Sequence, residues 1–468
     1  MTAPRLIPAE QSVTAAINRA AGGRPIPGNR VDLLIDGPQS YEAMLQLIAQ
    51  ARKWVHFENY IIRSDTAGWR FAELLARRAR EGVQVRVLYD WLGSFSTARG
   101  YWRYLRDAGV EVRSFHPPHL VDVVSNVSRN HRKLVVADGA RAVLGGLCIG
   151  CEWTGENHKS GQPWRDTALD IQGPAAAVLD QTFTSLWNRT GSPVPPDQVA
   201  GAVTPMGTAE VRVISGEPGR ERAYRVIELL AVGSVQRLWI TDAYLVAPPR
   251  LFQALKDSAR DGVDVRLLVP GSSDVPLIRN LSRIGYRDLL RAGVRIYEGD
   301  GPMLHAKSIM CDHRWVRIGS SNLNTSSLMG NYELDVLVED SDLAQAMEDQ
   351  FRLDIARSRE VASRRVRGPR RISQALPVVL THQHPDAPAV YQRSRRDNRR
   401  RAALVLRAVA SHARRSVFLP ISGIFLTLGL LFVALPRASA YVLAALCAWF
   451  ALGAGREAFR RRADRLPD

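Results

Sequence analysis

MLHAKSIMCDHRWVRIGSSNLN, residues 303–324, contains a histidine, a lysine two positions later and an aspartate five positions beyond that lysine. Residues 129–150, RNHRKLVVADGARAVLGGLCIG, follow the same order. In a β-strand, residues i and i+2 point to the same face, so we expect the histidine and lysine of each copy to emerge together. The two copies are His131, Lys133 and Asp138, and His305, Lys307 and Asp312.

The sequence around each motif is also repeated. EGVQVRVLYD (81–90) reappears as DGVDVRLLVP (261–270), and LRDAGVEVRSF (105–115) reappears as LLRAGVRIY (289–297). The two motif histidines lie 174 residues apart and follow these segments in the same order. Apolar strands alternate with amphipathic helices in both halves, which predicts an α/β fold with a mostly parallel, helix-covered sheet.

The predicted elements run strand, helix, strand, helix, strand in each half. FENYII (57–62), in the first strand, has a weaker counterpart in TDAYLV (241–246). In the two halves respectively, the prediction gives strands at 54–62 and 237–246, helices at about 69–80 and 251–260, strands at 83–89 and 263–269, helices at about 99–108 and 282–291, and strands at 110–115 and 294–297.

The segments that follow the repeats are strongly basic and then strongly apolar. The chain of 468 residues has a formal net charge of +17, which favours a polyanionic partner. Much of this excess is local, because residues 391–415 contain nine arginines and one acid. Residues 417–435 and 438–455 contain no charged side chain and are each close to the length that spans a bilayer. They predict a membrane hairpin, spanning or re-entrant, and the arginines on its outer flanks place both ends in the cytoplasm.

The motif residues suit phosphoryl transfer. A lysine can neutralise phosphate oxygens, and a histidine can attack phosphorus or deliver a proton. One His-Lys pair gives half of such a site, and two pairs that face each other give a whole one. Ser320 and Asn322, just after Gly319, can donate hydrogen bonds to oxygens that gain charge.

Four acidic residues accompany these groups. Asp166 and Glu333 lie 35 and 28 residues beyond their histidines, and we expect them to hold the imidazoles in the required tautomer. Asp138 and Asp312 fall at strand ends before a turn, so a structural role within the repeat is an alternative to a catalytic one.

Four cysteines are too few for a disulfide framework, which fits a reducing compartment. Cys148 and Cys151 form a C-x-x-C, and we interpret them as small apolar residues after a buried strand rather than as zinc or redox ligands.

Both motifs resemble the HKD signature of the phospholipase D superfamily over about residues 30–355. HFENYIIRSDTAGWRFAELLARRAREGVQVRVLYD (56–90), WRDTALDIQGPAA (164–176) and SSNLNTSSLMGNYELDVLV (320–338) are most similar to bacterial cardiolipin synthases. The resemblance implies two fused sandwich-like α/β repeats with one active site between them, a phosphohistidine intermediate, and neither metal nor cofactor. It favours His131 as the nucleophile.

Carried over to this chain, the family's site comprises His131, Lys133, His305, Lys307, Ser320 and Asn322, with Asp138 and Asp312 as motif acids and Asp166 and Glu333 as the acids that orient the histidines. Glu58 matches a further acid near the family's site, for which a structural role is equally compatible. Gly146 and Cys148 stand where the family often has serine and asparagine, so the second half is expected to supply most of the oxyanion stabilisation.

The resulting prediction is a transphosphatidylase that acts on anionic phospholipids at the cytoplasmic face of a bacterial inner membrane, without nucleic acid as a partner. Three alternatives stay open: a hydrolase that releases phosphatidic acid, a nuclease of the same superfamily, and a membrane-tethered scaffold without activity. The predicted segments are an N-terminal extension (1–29), a first repeat (30–190), a linker (191–210), a second repeat (211–360), a basic linker (361–415), the membrane hairpin (416–456) and a basic tail (457–468).

Overall fold

A computed structural model of the chain describes residues 9–117, 128–156 and 161–361. These residues lie in the first of two units of the chain, 1–367 and 368–468. The predicted membrane hairpin at 416–456 and most of the basic linker lie outside the described residues. Within the described ranges, no helix is both long and apolar enough to cross a membrane.

The described residues form a mixed α/β fold. Its helices are α1 (Ala9–Ala21), α2 (Asp36–Gln50), α3 (Thr66–Arg80), α4 (Arg99–Asp107), α5 (Cys151–Thr154), α6 (Pro174–Trp187), α7 (Arg222–Gly233), α8 (Pro249–Arg260), α9 (Pro276–Ile284), α10 (Tyr286–Ala292) and α11 (Ser341–Ala356), with a 3-10 turn at Pro196–Gln198 and a π-helical turn at Ser326–Gly330. Its strands are β1 (Ile26–Ile35), β2 (Trp54–Asn59), β3 (Gln84–Asp90), β4 (Glu111–Phe115), β5 (Leu134–Ala137), β6 (Arg141–Gly145), β7 (Thr167–Gln172), β8 (Ala209–Gly216), β9 (Arg237–Thr241), β10 (Asp264–Pro270), β11 (Arg295–Gly299), β12 (Ser308–Cys311), β13 (Trp315–Gly319), β14 (Glu333–Glu339) and β15 (Ser358–Glu360).

The strands form one sheet with the same order in both halves. β1 and β8 pair antiparallel at its centre. Outward from β1 the order is β7, β6, β5, β2, β3 and β4, and outward from β8 it is β14, β13, β12, β9, β10, β11 and β15. The repeat predicted from the sequence is therefore confirmed, and β5 and β12, which follow the two histidines, occupy equivalent positions.

The prediction of a mostly parallel sheet was wrong. Only β2, β3 and β4, and β9, β10 and β11, pair in parallel in the described part of the chain. The motif strands instead form antiparallel hairpins, β5 with β6 and β12 with β13. A turn of three residues is too short for the crossover that a parallel pair requires, and it imposes the antiparallel arrangement.

The helix predicted at about 282–291 is divided in the structure into α9 and α10 at Gly285. A Cβ added at Gly285 would lie 2.7 Å from the Phe252 ring of α8, so a larger residue here would require that ring to move. The sequence prediction missed most of α9, although Pro276 at its first position is a common helix start.

The two repeats share part of their apolar core. One cluster of buried side chains belongs to the first repeat and another to the second. A third cluster joins them, with Phe183 and Trp187 of α6 packed in the same group as Trp239 of β9 and Phe351 of α11. Close packing at this junction fixes the two motif strands relative to each other.

Candidate active site

The two motif histidines lie where the repeats exchange backbone hydrogen bonds. The amide of His131 donates to the carbonyl of Tyr332 at 2.9 Å, and the amide of His305 donates to the carbonyl of Arg165 at 2.7 Å. Tyr332 and Arg165 each immediately precede one of the acids assigned to orient a histidine. Each motif is therefore attached to the opposite repeat just before its strand begins.

The side chains of the histidines also make hydrogen bonds to the opposite repeat. His131 Nδ1 lies 3.0 Å from Glu333 Oε2, and His305 Nδ1 lies 2.7 Å from Asp166 Oδ2. The sequence pairs each acid with the histidine that precedes it in its own repeat, and the structure shows that this pairing is wrong. Each imidazole is held by a carboxylate from the other repeat, and its Nε2 is left for chemistry.

Burial and charge favour neutral imidazoles and ionised acids. Burial lowers the pKa of His131 against the opposing effect of Glu333. Burial, reinforced by the Lys307 charge, lowers the pKa of His305 to about 4. Burial alone would raise the pKa of Asp166, but its contacts with His305 and Lys307 outweigh burial and lower that pKa to about 2. The pKa of Glu333 is also lowered, because its contact with His131 outweighs burial.

Lys133 and Lys307 are buried beside the histidines. Each ammonium group donates to the carbonyl of the motif histidine two residues earlier, which keeps it next to the imidazole. Burial lowers the pKa of Lys307 to about 8, with Asp166 opposing and Lys133 adding to the shift. At neutral pH this ammonium group is charged.

Each His-Lys pair is accompanied by a tyrosine that the sequence analysis did not single out. Tyr60 packs its ring edge-on against His131, with centroids 5.0 Å apart, and Tyr244 meets His305 in the same way at 6.0 Å. Lys133 Nζ and Lys307 Nζ lie over these rings at 5.2 and 5.9 Å. The weak repeat of FENYII in TDAYLV aligns the two tyrosines and could have identified them.

Glu333 receives two hydroxyl donors within the second repeat. Ser320 Oγ donates to Glu333 Oε2, the oxygen that faces His131, and Ser327 Oγ donates to Oε1, both at 2.5 Å. Ser320 thus supports the orienting acid. Asn322 lines the cavity described below, and its Oδ1 has no hydrogen-bond partner among the described residues.

The first repeat achieves the same support with different residues. A Cβ at Gly146 would lie 2.2 Å from Asp166 Oδ1, so the Asp166 carboxylate occupies the space that a serine would need. Trp153 Nε1 donates to Asp166 Oδ2 at 3.0 Å in place of that serine. The departure of Gly146 from the family pattern is therefore explained by the indole of Trp153. Cys148 is buried, and burial raises its thiol pKa.

Both histidines open into one cavity of about 440 Å³. Its lining also includes Tyr60 and Tyr244, and residues of both repeats contribute to its wall. Polar side chains such as Arg63, Arg129 and Asn322 line it together with the apolar side chains of Ile61, Val275 and Ile278.

Asp138 and Asp312 are not among the residues that line this cavity. The Asp138 carboxylate accepts from the amides of Arg52, Lys53 and Trp54 at 2.7 to 2.9 Å. Asp312 binds the amides of residues 235–237 in the same way. Both acids lie at the far end of the motif strand from the histidine, where they fix the start of the neighbouring strand. These contacts support the structural alternative over a catalytic role.

Glu58 supports the segment that leads to His131. Its Oε1 accepts from Asn130 Nδ2 at 2.8 Å, and burial raises the pKa of this carboxyl group against the effect of Arg132. Asp242 is the counterpart in the second repeat, and burial raises its pKa to about 6. Among the described residues, no group of three or more His, Cys, Asp or Glu side chains is placed to hold a metal ion.

Both repeats match a known family of domains. The domain family described as "Cardiolipin synthase, PLD-like domain" matches residues 44–187 and 227–355, one segment in each repeat. Cardiolipin synthase A of Pseudomonas entomophila (strain L48) is 35% identical over 352 residues, which cover 75% of this chain and 73% of that protein. The cardiolipin synthase of Alkalihalophilus pseudofirmus is 33% identical over 347 residues, covering 73% and 69%.

A solved structure shares the fold. The phosphatidylserine synthase of Haemophilus influenzae Rd KW20 aligns with a TM-score of 0.58 at 16% identity, covering 75% of this chain and 92% of that one. At this identity the similarity concerns the fold alone.

Proposed function

Because this chain belongs to the family of phospholipase D-like cardiolipin synthases, we propose that it transfers a phosphatidyl group from one phosphatidylglycerol to a second, giving cardiolipin and glycerol. The chain is a phosphatidyltransferase of the phospholipase D type. The observation that carries the proposal is the pair of histidines in one cavity, each oriented by a carboxylate from the other repeat.

In the first step, Nε2 of one imidazole attacks the phosphorus of the donor. The bond from phosphorus to the glycerol head-group oxygen breaks, and the other imidazole, in its protonated form, gives its proton to that oxygen. Glycerol leaves, and the phosphatidyl group stays on the first imidazole. The resemblance favours His131 as nucleophile and His305 as the acid.

His305 must be protonated for this step, although burial lowers its pKa to about 4. Lys307 contributes to that low pKa through its positive charge. A bound phosphodiester brings a negative charge that offsets the ammonium groups, and it thereby raises the pKa of the imidazole beside it. Substrate binding and proton uptake by the acid are thus coupled.

In the second step, a hydroxyl of another phosphatidylglycerol attacks the phosphorus. The neutral acid of the first step now accepts the hydroxyl proton, and the bond between phosphorus and the nucleophilic nitrogen breaks. Water can take the place of the lipid hydroxyl, and the product is then phosphatidic acid. Apolar surface at the cavity mouth, including Val275 and Ile278, favours the lipid because it seats the second substrate and displaces water.

Membrane attachment belongs to the same proposal. The predicted hairpin at 416–456 and the arginines before it would hold the catalytic repeats at an anionic cytoplasmic leaflet. Each basic residue close to such a surface adds roughly 1 kcal/mol of attraction. The proposed location is the cytoplasmic face of a bacterial inner membrane.

The proposal is tested by incubating the purified full chain with phosphatidylglycerol bilayers and identifying the products. Cardiolipin is expected as the main product and phosphatidic acid as a minor one, with glycerol equal to the sum of the two. Phosphatidic acid with almost no cardiolipin would replace the synthase by a hydrolase. Cleavage of added DNA without any lipid product would point to the nuclease.

A further inference from the structure

Helix α9 lies at the cavity wall and is unusually exposed. None of its residues with a described side chain, 278–284, is buried. Leu281 is 44% exposed and Ile284 is 75% exposed, and Val275, just before the helix, is 38% exposed. Ile278, Leu281 and Ile284 recur every three residues, so they form one apolar stripe along the helix. A soluble surface rarely groups apolar side chains in this way without a partner.

The first repeat exposes apolar side chains at the equivalent position. The loop between β3 and α4 contains Trp91, Leu92 and Phe95, which are 37%, 47% and 71% exposed. The hydroxyl of Ser94 donates to the Tyr60 carbonyl at 3.1 Å and accepts from the Ile62 amide at 3.0 Å. The loop is therefore fixed against a segment of the cavity wall.

These two segments, Trp91–Phe95 and Val275–Ile284, are called the rim below. β3 and β10, which precede them, hold equivalent places in the sheet, so the rim segments follow the same symmetry as the two histidines. Val275 and Ile278 line the cavity directly, and Tyr60 joins the loop to it. The rim segment of the second repeat therefore lines the cavity, and that of the first repeat is held against Tyr60 and Ile62 beside it.

Positive charge accompanies the apolar residues. Arg99 is exposed directly after the loop and Arg287 just after α9, whereas Arg283 on α9 is paired with Glu298. Apolar side chains flanked by arginines are the combination by which amphipathic segments lie in the interface of an anionic bilayer.

We propose that the rim docks onto an anionic phospholipid bilayer and inserts its apolar side chains among the acyl chains, so that lipids enter the cavity without crossing water. The inference rests on the proposed function, which supplies the lipid substrate, and it adds an attachment surface separate from the predicted hairpin. Association with a second copy of the chain fits less well, since a partner covering both segments would close the cavity that they border.

The kinetic test uses the full chain and compares two forms of phosphatidylglycerol. One is presented in bilayer vesicles, and the other is a short-chain analogue kept below its critical micelle concentration. For Leu281→Ser combined with Ile284→Ser, we expect turnover on vesicles to fall at least tenfold, because docking would bury two aliphatic side chains that are exposed in the free chain. Turnover of the monomeric analogue should stay within about twofold of the unmodified chain. Phe95→Ser should act in the same direction to a smaller extent.

A matched control comes from the opposite end of the strands, away from the cavity. Val232 and Val235 are 67% and 77% exposed and precede β9, whereas Tyr244 of the cavity follows that strand. Val232→Ser combined with Val235→Ser should change neither rate. Equal losses on vesicles and monomers for the rim variant, or no loss on vesicles, would overturn the proposal. The proposal would also be overturned if light scattering gave the rim variant half the particle mass of the unmodified chain. That result would assign the rim to self-association.

A second measurement does not depend on activity. The full chain is placed in nanodiscs of phosphatidylglycerol with brominated acyl chains, which quench tryptophan at close range. The quenched signal should be larger for the unmodified chain than for Trp91→Phe. An identical signal would show that Trp91 does not reach the acyl chains and would reject docking. If the chain makes no lipid product but the difference is present, the proposed function fails while the docking surface stands.

Discussion

His305 Nδ1 lies 2.7 Å from Asp166 Oδ2 although the two residues belong to different repeats, and His131 is bound to Glu333 in the same crossed way. Neither repeat contains both a motif histidine and the acid that orients it. An imidazole that has lost its acceptor can adopt the wrong tautomer or rotate. The two repeats therefore form one site that depends on both, rather than two half-sites that happen to meet.

The first prediction concerns the histidines themselves. His131→Ala and His305→Ala are each expected to abolish cardiolipin formation, and the double variant should be no worse than either single one. Residues that act as a unit show such non-additive losses. The measurement is turnover of labelled phosphatidylglycerol, with folding checked by circular dichroism. Near-normal activity in either single variant would contradict a shared site.

Denatured protein from a quenched reaction gives a sharper assignment of the two roles. Phosphatidyl label should be found on His131 when the reaction is stopped before the second lipid reacts. Label on His305 instead would exchange nucleophile and acid without changing the overall scheme.

The second prediction follows from the crossed pairing. Asp166→Asn should change the tautomer of His305 in nitrogen NMR spectra and leave His131 unaffected, although Asp166 and His131 share a repeat. Turnover should fall by a factor on the order of 10³ to 10⁴, as when the acid of a catalytic triad is replaced by its amide.

Asp170→Asn is the control, because Asp170 lies on β7, which begins directly after Asp166, and pairs with Arg141 away from the histidines. It should leave both imidazole spectra unchanged. A response of His131 to Asp166→Asn would mean that the acids serve their own repeats.

The sequence alone predicted the repeat, the two His-Lys pairs and the two orienting acids. It could not predict the crossing, because spacing within a repeat is the same whichever histidine the acid faces. Trp153 was also missed, since its role arises from the Asp166 carboxylate filling the space above Gly146, and only coordinates show this contact. The amphipathic pattern of α9 was present in the sequence, but its apolar side faces no core.

The third prediction separates a structural role from a catalytic one at Asp138. Its carboxylate binds three backbone amides, and its φ of 54° lies in the left-handed region. Asp138→Ala should lower the free energy of unfolding by roughly 1–3 kcal/mol, because amides lose their acceptor and alanine is strained at this φ. Turnover at a temperature where the variant is folded should stay within about fivefold.

Asp138→Asn keeps an acceptor oxygen and tolerates positive φ, so it should restore most of the stability. Thermal unfolding and turnover are measured on the same samples. Complete loss of turnover in a stably folded Asp138→Asn variant would return this residue to the catalytic group.

The fourth prediction concerns metal. Activity is expected to survive EDTA, since the ammonium groups of Lys133 and Lys307 supply positive charge beside both imidazoles. Turnover is measured after dialysis against the chelator. Loss of activity that a divalent ion restores would contradict the mechanism proposed above.

The last prediction is the alkaline limb of the pH profile. Burial, with a smaller contribution from Lys133, lowers the pKa of Lys307 from its ordinary value of 10.5 to about 8. In the proposed mechanism the ammonium form holds the phosphodiester, and it is the main form only below this pH. Because kcat/KM reports groups of the free enzyme, it should fall as pH rises through about 8 and continue to fall about tenfold per unit above it.

The loss of activity above pH 8 cannot be explained by unfolding that deprotonation of Lys307 causes. Between pH 8 and 10.5 the unfolded chain binds more protons at Lys307 than the folded chain does, so the free energy of unfolding rises with pH in this window. Lys307→Arg stays charged throughout and should show lower activity but no limb near pH 8. A limb at the same pH in that variant would assign the titration to another group and leave Lys307 without the role given to it here.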